Sequence, residues 1–123
     1  MQNQAASAYQ KTGQQTTSPR DLEANLLSRS ASTLQRLRDD WDSIPRLELN
    51  NALQFNRRLW TVFMTSVTRD DSPLPVDVRQ NVANLGIFVM KHTIAILAEP
   101  KPEKISPLID INRNLAAGLA GNA

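Results

Sequence analysis

The 123-residue sequence predicts an all-α protein, a four-helix antiparallel bundle preceded by a short N-terminal arm. Three observations carry this. Apolar residues recur at three- and four-residue intervals in four separate stretches. Those stretches are bounded by proline, glycine or clusters of small polar residues, which start and stop helices. No stretch rises to the apolar–polar alternation expected of a strand. Amphipathic helices joined by short connections pack most simply as antiparallel neighbours. The length fits one domain, here residues 18–121, with 1–17 as the arm.

The arm is rich in Gln, Ala, Ser and Thr, with Tyr9 as its one aromatic side chain. That composition fits a mobile segment, and Ala5–Thr12 is compatible with a short helix ending near Gly13. The first helix starts at Ser18-Pro19-Arg20-Asp21. Ser18 is suited to cap free amides, Pro19 fits the first helical position, and Asp21 suits the positive end of the dipole. Leu22, Leu26, Ala31, Leu34, Leu37 and Trp41 form its expected apolar line. It should stop near Asp42, because Pro45 disfavours helix at Ile44. Asp39, Asp40 and Asp42 then lie at its negative end and call for a basic partner.

The second helix begins near Pro45 or Arg46. Leu49, Leu53, Asn56, Trp60, Phe63 and Val67 trace one face, widened by Leu59 and Val62. Thr68 to Pro75 is a turn. The third helix runs from about Val76 to Ala98, with Val78, Val82, Leu85, Val89, His92 and Ile96 on one side. Ile87, Phe88, Ile94 and Leu97 make it apolar nearly all round beyond Leu85, the pattern of a central, buried helix. Gly86 costs about 1 kcal/mol relative to Ala in a helix, which close packing of a neighbouring helix would explain. Glu99 to Pro107 is a proline-rich linker. Ser106-Pro107 repeats the cap-and-proline signal before a fourth helix lined by Leu108, Ile111, Leu115 and Leu119 and closed by Gly118 and Gly121.

Composition narrows the chemistry. The absence of cysteine removes disulfides, thiolate nucleophiles and Cys-based zinc sites. His92 is the single histidine, on an apolar stripe, and reads as a packed, hydrogen-bonded side chain rather than a general base. The four glycines form neither a P-loop nor a nucleophile elbow. The clustered aspartates have no EF-hand spacing. No enzymatic activity, metal or cofactor is expected. The net charge of +2 arises in residues 44–68, where Arg46, Arg57 and Arg58 face only Glu48. That is a small footprint for nucleic acid, and aromatic residues suited to base stacking make up only 5% of the chain, so direct RNA binding is not expected. The longest apolar run, Leu85 to Ala98, is interrupted by Lys91 and His92 and is short for a membrane span. No signal peptide is visible. A soluble, cytoplasmic protein is expected.

Two polar clusters on apolar helices are candidate partner contacts. In Asn56-Arg57-Arg58-Leu59-Trp60, Asn56 and Trp60 share a helical face and Arg57 is one step aside. Either Trp60 is core and Arg57 or Arg58 neutralises the aspartates near Trp41, or the cluster is a binding surface of the Arg- and Trp-rich kind. Asn112-Arg113-Asn114 interrupts the last helix and is either a polar outer face or a source of polar packing and partner contacts.

Six pieces in this order resemble the FlaF family: Ala8-Tyr9-Gln10, Ser18-Pro19-Arg20-Asp21-Leu22-Glu23, Asn56-Arg57-Arg58-Leu59-Trp60, Pro73-Leu74-Pro75, Asn84-Leu85-Gly86-Ile87-Phe88-Val89, and Ile111-Asn112-Arg113-Asn114-Leu115-Ala116-Ala117-Gly118-Leu119. The resemblance spans about Ala8 to Leu119. It implies a small cytoplasmic factor for bacterial flagellum assembly, linked to flagellin production and secretion and acting alongside the regulator FlbT. Over the first fifth of the chain, Ala8-Tyr9, Thr16, Ser18-Pro19 and Leu22 are also similar to the start of FliS, the flagellin export chaperone. There the segment around the tyrosine lies near the groove that receives flagellin's C-terminal helices. The Asn-Arg-x-Leu-Trp element is not part of that pattern.

These resemblances imply flagellin as partner and masking of its amphipathic segments before secretion as the function, by helix-in-groove binding. Tyr9, Asn56, Arg57, Arg58, Leu59, Trp60, Asn112, Arg113 and Asn114 are the candidate contact residues. The alternative they leave open is control of flagellin synthesis through FlbT or flagellin mRNA.

Overall fold

The computed structural model describes residues 19–121 and contains four α-helices: α1 (Pro19–Asp39), α2 (Arg46–Val67), α3 (Val76–Ala98) and α4 (Ser106–Leu119). Single 3-10 turns at Trp41–Ser43 and Pro102–Lys104 lie in the first and last connections. No strand occurs among the described residues. The helix expected around 5–12, the cap expected of Ser18, and Tyr9 fall outside the described residues.

Side-chain pairs show how the helices run. Arg36 near the end of α1 pairs with Glu48 near the start of α2, while Ser30, earlier on α1, bonds Asn56, later on α2. Arg38 reaches Ser106 at the start of α4, and Gln35 accepts a hydrogen bond from Arg113 further along it. Both pairings are antiparallel. The closest backbone approach is α1 against α4, and α2 in turn packs on α1 and on α3. One apolar core results, with Leu27, Leu34, Leu37, Leu53, Trp60, Phe63, Ile96, Ile105 and Leu108 almost fully enclosed. Each such side chain stabilises by roughly 1.5–3 kcal/mol.

Helix α1 stops at Asp39, three residues before the expected end. Ile44 is extended (φ −93°, ψ 141°), as a following proline requires, and the chain reaches it through the 3-10 turn. Of the three aspartates at this end, Asp39 finds its base within α1, not on α2. Arg38 Nε lies 3.1 Å from Asp39 Oδ1. The inward line of α1 is also shifted. Ala24, Leu27, Ser30, Ala31, Leu34 and Leu37 are buried, whereas Leu22 is exposed and Leu26 half-buried. Ser30 faces inward because its hydroxyl has a partner there, which apolar periodicity does not register.

The expected line of α2, from Leu49 to Val67, is buried at every position. Leu59 is half-buried against the core, but Val62 is 69% exposed and widens nothing. The Ser106-Pro107 signal works differently from expectation. Ser106 is the first residue of α4 and makes no cap hydrogen bond; its hydroxyl instead accepts from Arg38 Nη1 at 3.1 Å. The buried line of α4 is Leu108, Ile109, Asn112 and Ala116, with Ile111, Leu115 and Leu119 partly buried at its edges. Gly121 adopts φ +77° just past the helix, the left-handed stop that glycine accepts without strain. The linker before α4 is packed, since Ile105 is fully buried. His92 Nε2–H donates to the Lys104 carbonyl at 2.6 Å, and its ring stacks on Phe88 at 5.1 Å.

Gly86 of α3 accommodates α2, as its presence in a helix implied. A Cβ there would lie 2.0 Å from Met64 Sδ and 2.8 Å from Met64 Cγ. Alanine at 86 would gain about 1 kcal/mol of helix propensity and force a displacement of Met64 that costs about 1–3 kcal/mol. Gly86→Ala is therefore expected to lower stability by about 1 kcal/mol, read as a lower urea midpoint at unchanged slope. A raised midpoint would mean that Met64 swings aside without loss.

Candidate partner-binding surface

The nine candidate residues divide sharply. Asn56, Trp60 and Asn112 are fully buried and present no surface to a partner: Trp60 is core, and Asn112 serves polar packing and not an outer face. They form one chain of hydrogen bonds across α1, α2 and α4. Trp60 Nε1–H donates to Asn112 Oδ1 at 2.9 Å, Asn112 Nδ2 donates to Asn56 Oδ1 at 2.8 Å, and Ser30 Oγ donates to the same oxygen at 2.8 Å. Asn56 Nδ2 is buried with no partner. Trp60 meets Phe63 edge-on at 5.6 Å. Low local dielectric strengthens such a network and makes it intolerant of a missing member.

Arg57, Arg58, Arg113 and Asn114 are exposed, and Leu59 is half-buried. Arg57 Nε donates to Gln54 Oε1 at 3.1 Å, and Arg113 donates to Gln35. The expected pairing of Arg57 or Arg58 with the aspartates near Trp41 does not form; Asp39 is taken by Arg38. Among the described residues no group of three or more His, Cys, Asp or Glu is placed to hold a metal ion.

The surface that sequence reasoning missed is on α3. This helix is not central. One side, Val82, Gly86, Val89, Thr93 and Ile96, is buried. Another carries Val76, Ala83, Ile87, Met90, Ile94 and Leu97 at heptad spacing. There Val76 is 70%, Ile87 50%, Ile94 66% and Leu97 38% exposed. The exposed part of this stripe runs from Ile87 to Leu97, with Val76 apart from it at the start of a helix about 34 Å long. Contiguous exposed apolar surface of this kind marks an interaction site. A second, smaller apolar group, Leu22 with Phe55 and Val62, is exposed on α1 and α2. At 23 residues, α3 is also longer than the apolar run read from sequence and is long and apolar enough to cross a membrane. A single such helix packed on a core through one face is weak evidence for that use.

The path of α2 beside this stripe follows from one contact. Arg57, Thr61 and Met64 lie on one face of α2, seven residues from first to last. Met64 sits against Gly86. Arg79 reaching the Arg69 carbonyl and Met64 lying against Gly86 show that α2 and α3 run antiparallel, so seven residues back along α2 corresponds to seven forward along α3 and Arg57 falls about level with Thr93 and Ile94. The apolar stripe is thus flanked by a wall of polar and basic side chains from α2. The stripe and this flank together border the seam between α2 and α3, the α2–α3 groove.

Comparison with known proteins gives this surface its setting. No curated relative and no solved structure matches the chain. The sequence profile of one family, described as "Flagellar protein FlaF", matches residues 5–119. That match runs from the arm through α4 and so takes in both the buried network and the apolar stripe. The chain belongs to the FlaF family of flagellar proteins.

Proposed function

We propose that this protein is a cytoplasmic flagellin-binding chaperone that covers an amphipathic helical segment of flagellin before secretion, without turnover or cofactor. The observation that supports the reading best is the apolar stripe of α3, exposed at Ile87, Ile94 and Leu97 and half-buried at Met90, in a chain of a flagellar family. Segments that pack into a filament through apolar helical faces must be kept apart before assembly, and a groove of matching periodicity does this by occupying the same face. The buried network is the brace that keeps α2 in place beside the stripe.

The test is calorimetric titration of the full chain with monomeric flagellin and with flagellin lacking its C-terminal helical segment. One-to-one binding that the truncation abolishes is the expected result. Absence of heat with both forms would sink the reading and move FlbT to the position of primary partner. The paired substitution Ile87→Gln with Ile94→Gln is expected to weaken flagellin binding at least about tenfold, while changing stability by no more than about 0.5 kcal/mol per site, because both side chains are largely in water. Unchanged affinity would place the site elsewhere, with the patch of Leu22, Phe55 and Val62 next in line.

A further inference from the structure

Charge around the groove says more about its occupant. Residues 49–69 contain Arg57, Arg58 and Arg69 and no Asp or Glu; residues 78–98 contain Arg79 and Lys91 and again no Asp or Glu. Arg69 is engaged by Asp71 in the turn, and Arg79 points Nη1 at the Arg69 carbonyl. Both lie at the turn end. The middle and far end of the groove have Arg57, Arg58 and Lys91.

Their places on the helices are informative. Around α3, moving away from Gly86 and Thr93, come Met90 and Leu97, then Ile87 and Ile94, then Lys91. Lys91 therefore borders the stripe on the side away from α2. Arg57 borders it on the α2 side, level with Ile94, and Arg58 is one step further out. The nearest acids are occupied. Glu48 is held by Arg36 of α1, and Asp77 accepts the Val78 amide in the first turn of α3. Glu99, beyond the end of α3, accepts a hydrogen bond from Lys101, which together with the charge of Lys104 holds its carboxyl below the usual range. From Ile87 to Leu97 the apolar stripe thus has a cation on each side and no carboxylate, Asp77 lying well before this part of the helix.

We infer that the α2–α3 groove selects an amphipathic helix whose apolar seam is flanked by acidic residues, with Arg57 and Lys91 reading the two flanks. This rests on the reading of the stripe as the flagellin site and specifies the chemistry of the segment bound there. A second copy of this chain fits poorly, since α3 against α3 would set Lys91 and Arg57 against their own kind without a carboxylate to meet them. A membrane surface fits less well too. Polybasic lipid contact typically uses four to eight cations on one surface, and α2 stands beside the stripe as a wall where a bilayer would need to lie flat.

The experiment uses the full chain and two fluorescein-labelled helical peptides of about 18 residues, which span about 27 Å. Both carry Leu at heptad a and d; one has Glu and the other Lys at e and g. By anisotropy at low salt the Glu peptide is expected to bind at least about tenfold more tightly, and the preference to shrink as salt rises. Arg57→Glu with Lys91→Glu should reverse the preference without lowering the urea midpoint, since both side chains are exposed. Equal affinity for the two peptides, or a preference that survives the reversal, overturns the inference. So does sedimentation of the chain as a dimer that Ile94→Gln dissolves, or binding to phosphatidylserine vesicles with none to the Glu peptide. Flagellin binding unaffected by the charge reversal would remove this inference and leave the chaperone reading standing. Selective binding of the Glu peptide with none of flagellin would do the opposite.

Discussion

Trp60→Ala is expected to destabilise the protein by about 4–5 kcal/mol, enough to leave a small domain largely unfolded at 37 °C. Three losses combine. The indole is fully buried in the core cluster, and alanine leaves a cavity that the helices close only in part. The edge-on contact with Phe63 disappears. Asn112 Oδ1 loses the one donor that reaches it from α2. Urea unfolding followed by far-UV circular dichroism measures the sum. Trp60→Phe separates the terms, because it keeps most of the packing and removes the hydrogen bond. Its expected cost is about 2 kcal/mol, between a lost hydrogen bond with an orphaned acceptor and a modest cavity. Equal costs for the two variants would mean that the hydrogen bond, not the packing, makes Trp60 important. A cost under about 1 kcal/mol for Trp60→Ala would contradict its placement in the core.

The helices were legible because their punctuation is local. Pro45, Pro75 and the Pro100–Pro107 segment mark the starts of α2, α3 and α4 to within a residue or so, and the line from Leu49 to Val67 is buried as its spacing predicts. What periodicity did not reveal is polar burial. Ser30 and Asn112 face inward because they bond to Asn56 and Trp60, and these partners lie far away in sequence. The inward lines of α1 and α4 therefore differ from their apolar lines. The same cause places three of the nine candidate residues inside. Asn56, Trp60 and Asn112 stood out as polar or amphipathic residues on apolar faces, and the interior uses them for that property.

The reading of α3 failed for a different reason, and one available beforehand. In a bundle of four helices no helix is surrounded; each has an outward side. A helix that is apolar nearly all round must then show apolar side chains to solvent or to something else. The all-round pattern from Leu85 onward was thus a signal of an interface, and the exposure of Ile87, Phe88, Ile94 and Leu97 is its consequence. Among the described candidates, Arg57 both lies in the family pattern and borders this surface. Trp60, one turn on and about 60° round the helix, is buried in the core.

Asn112→Ala is the second large effect, at about 2–4 kcal/mol. Alanine is a better helix former than asparagine by a few tenths of a kcal/mol, so propensity opposes the loss and does not explain it. The cost arises from what is left behind. The Trp60 indole N–H remains buried without an acceptor, and Asn56 Oδ1 keeps only Ser30 as a donor. Asn56 already holds one buried amide nitrogen without a partner, so the network has no spare bond with which to compensate. Asn56→Ala should cost a similar amount by orphaning Ser30 Oγ and Asn112 Nδ2. The double variant is the sharper measurement. Each single change strands groups that the other change removes, so the double should cost about 0.5–3 kcal/mol less than the sum. Additive losses would show that the two side chains act separately and that nothing cooperative ties α1, α2 and α4 together. A sub-additive cycle would show that one polar unit fixes α2 against its neighbours, and with it the position of Arg57 beside the α3 stripe.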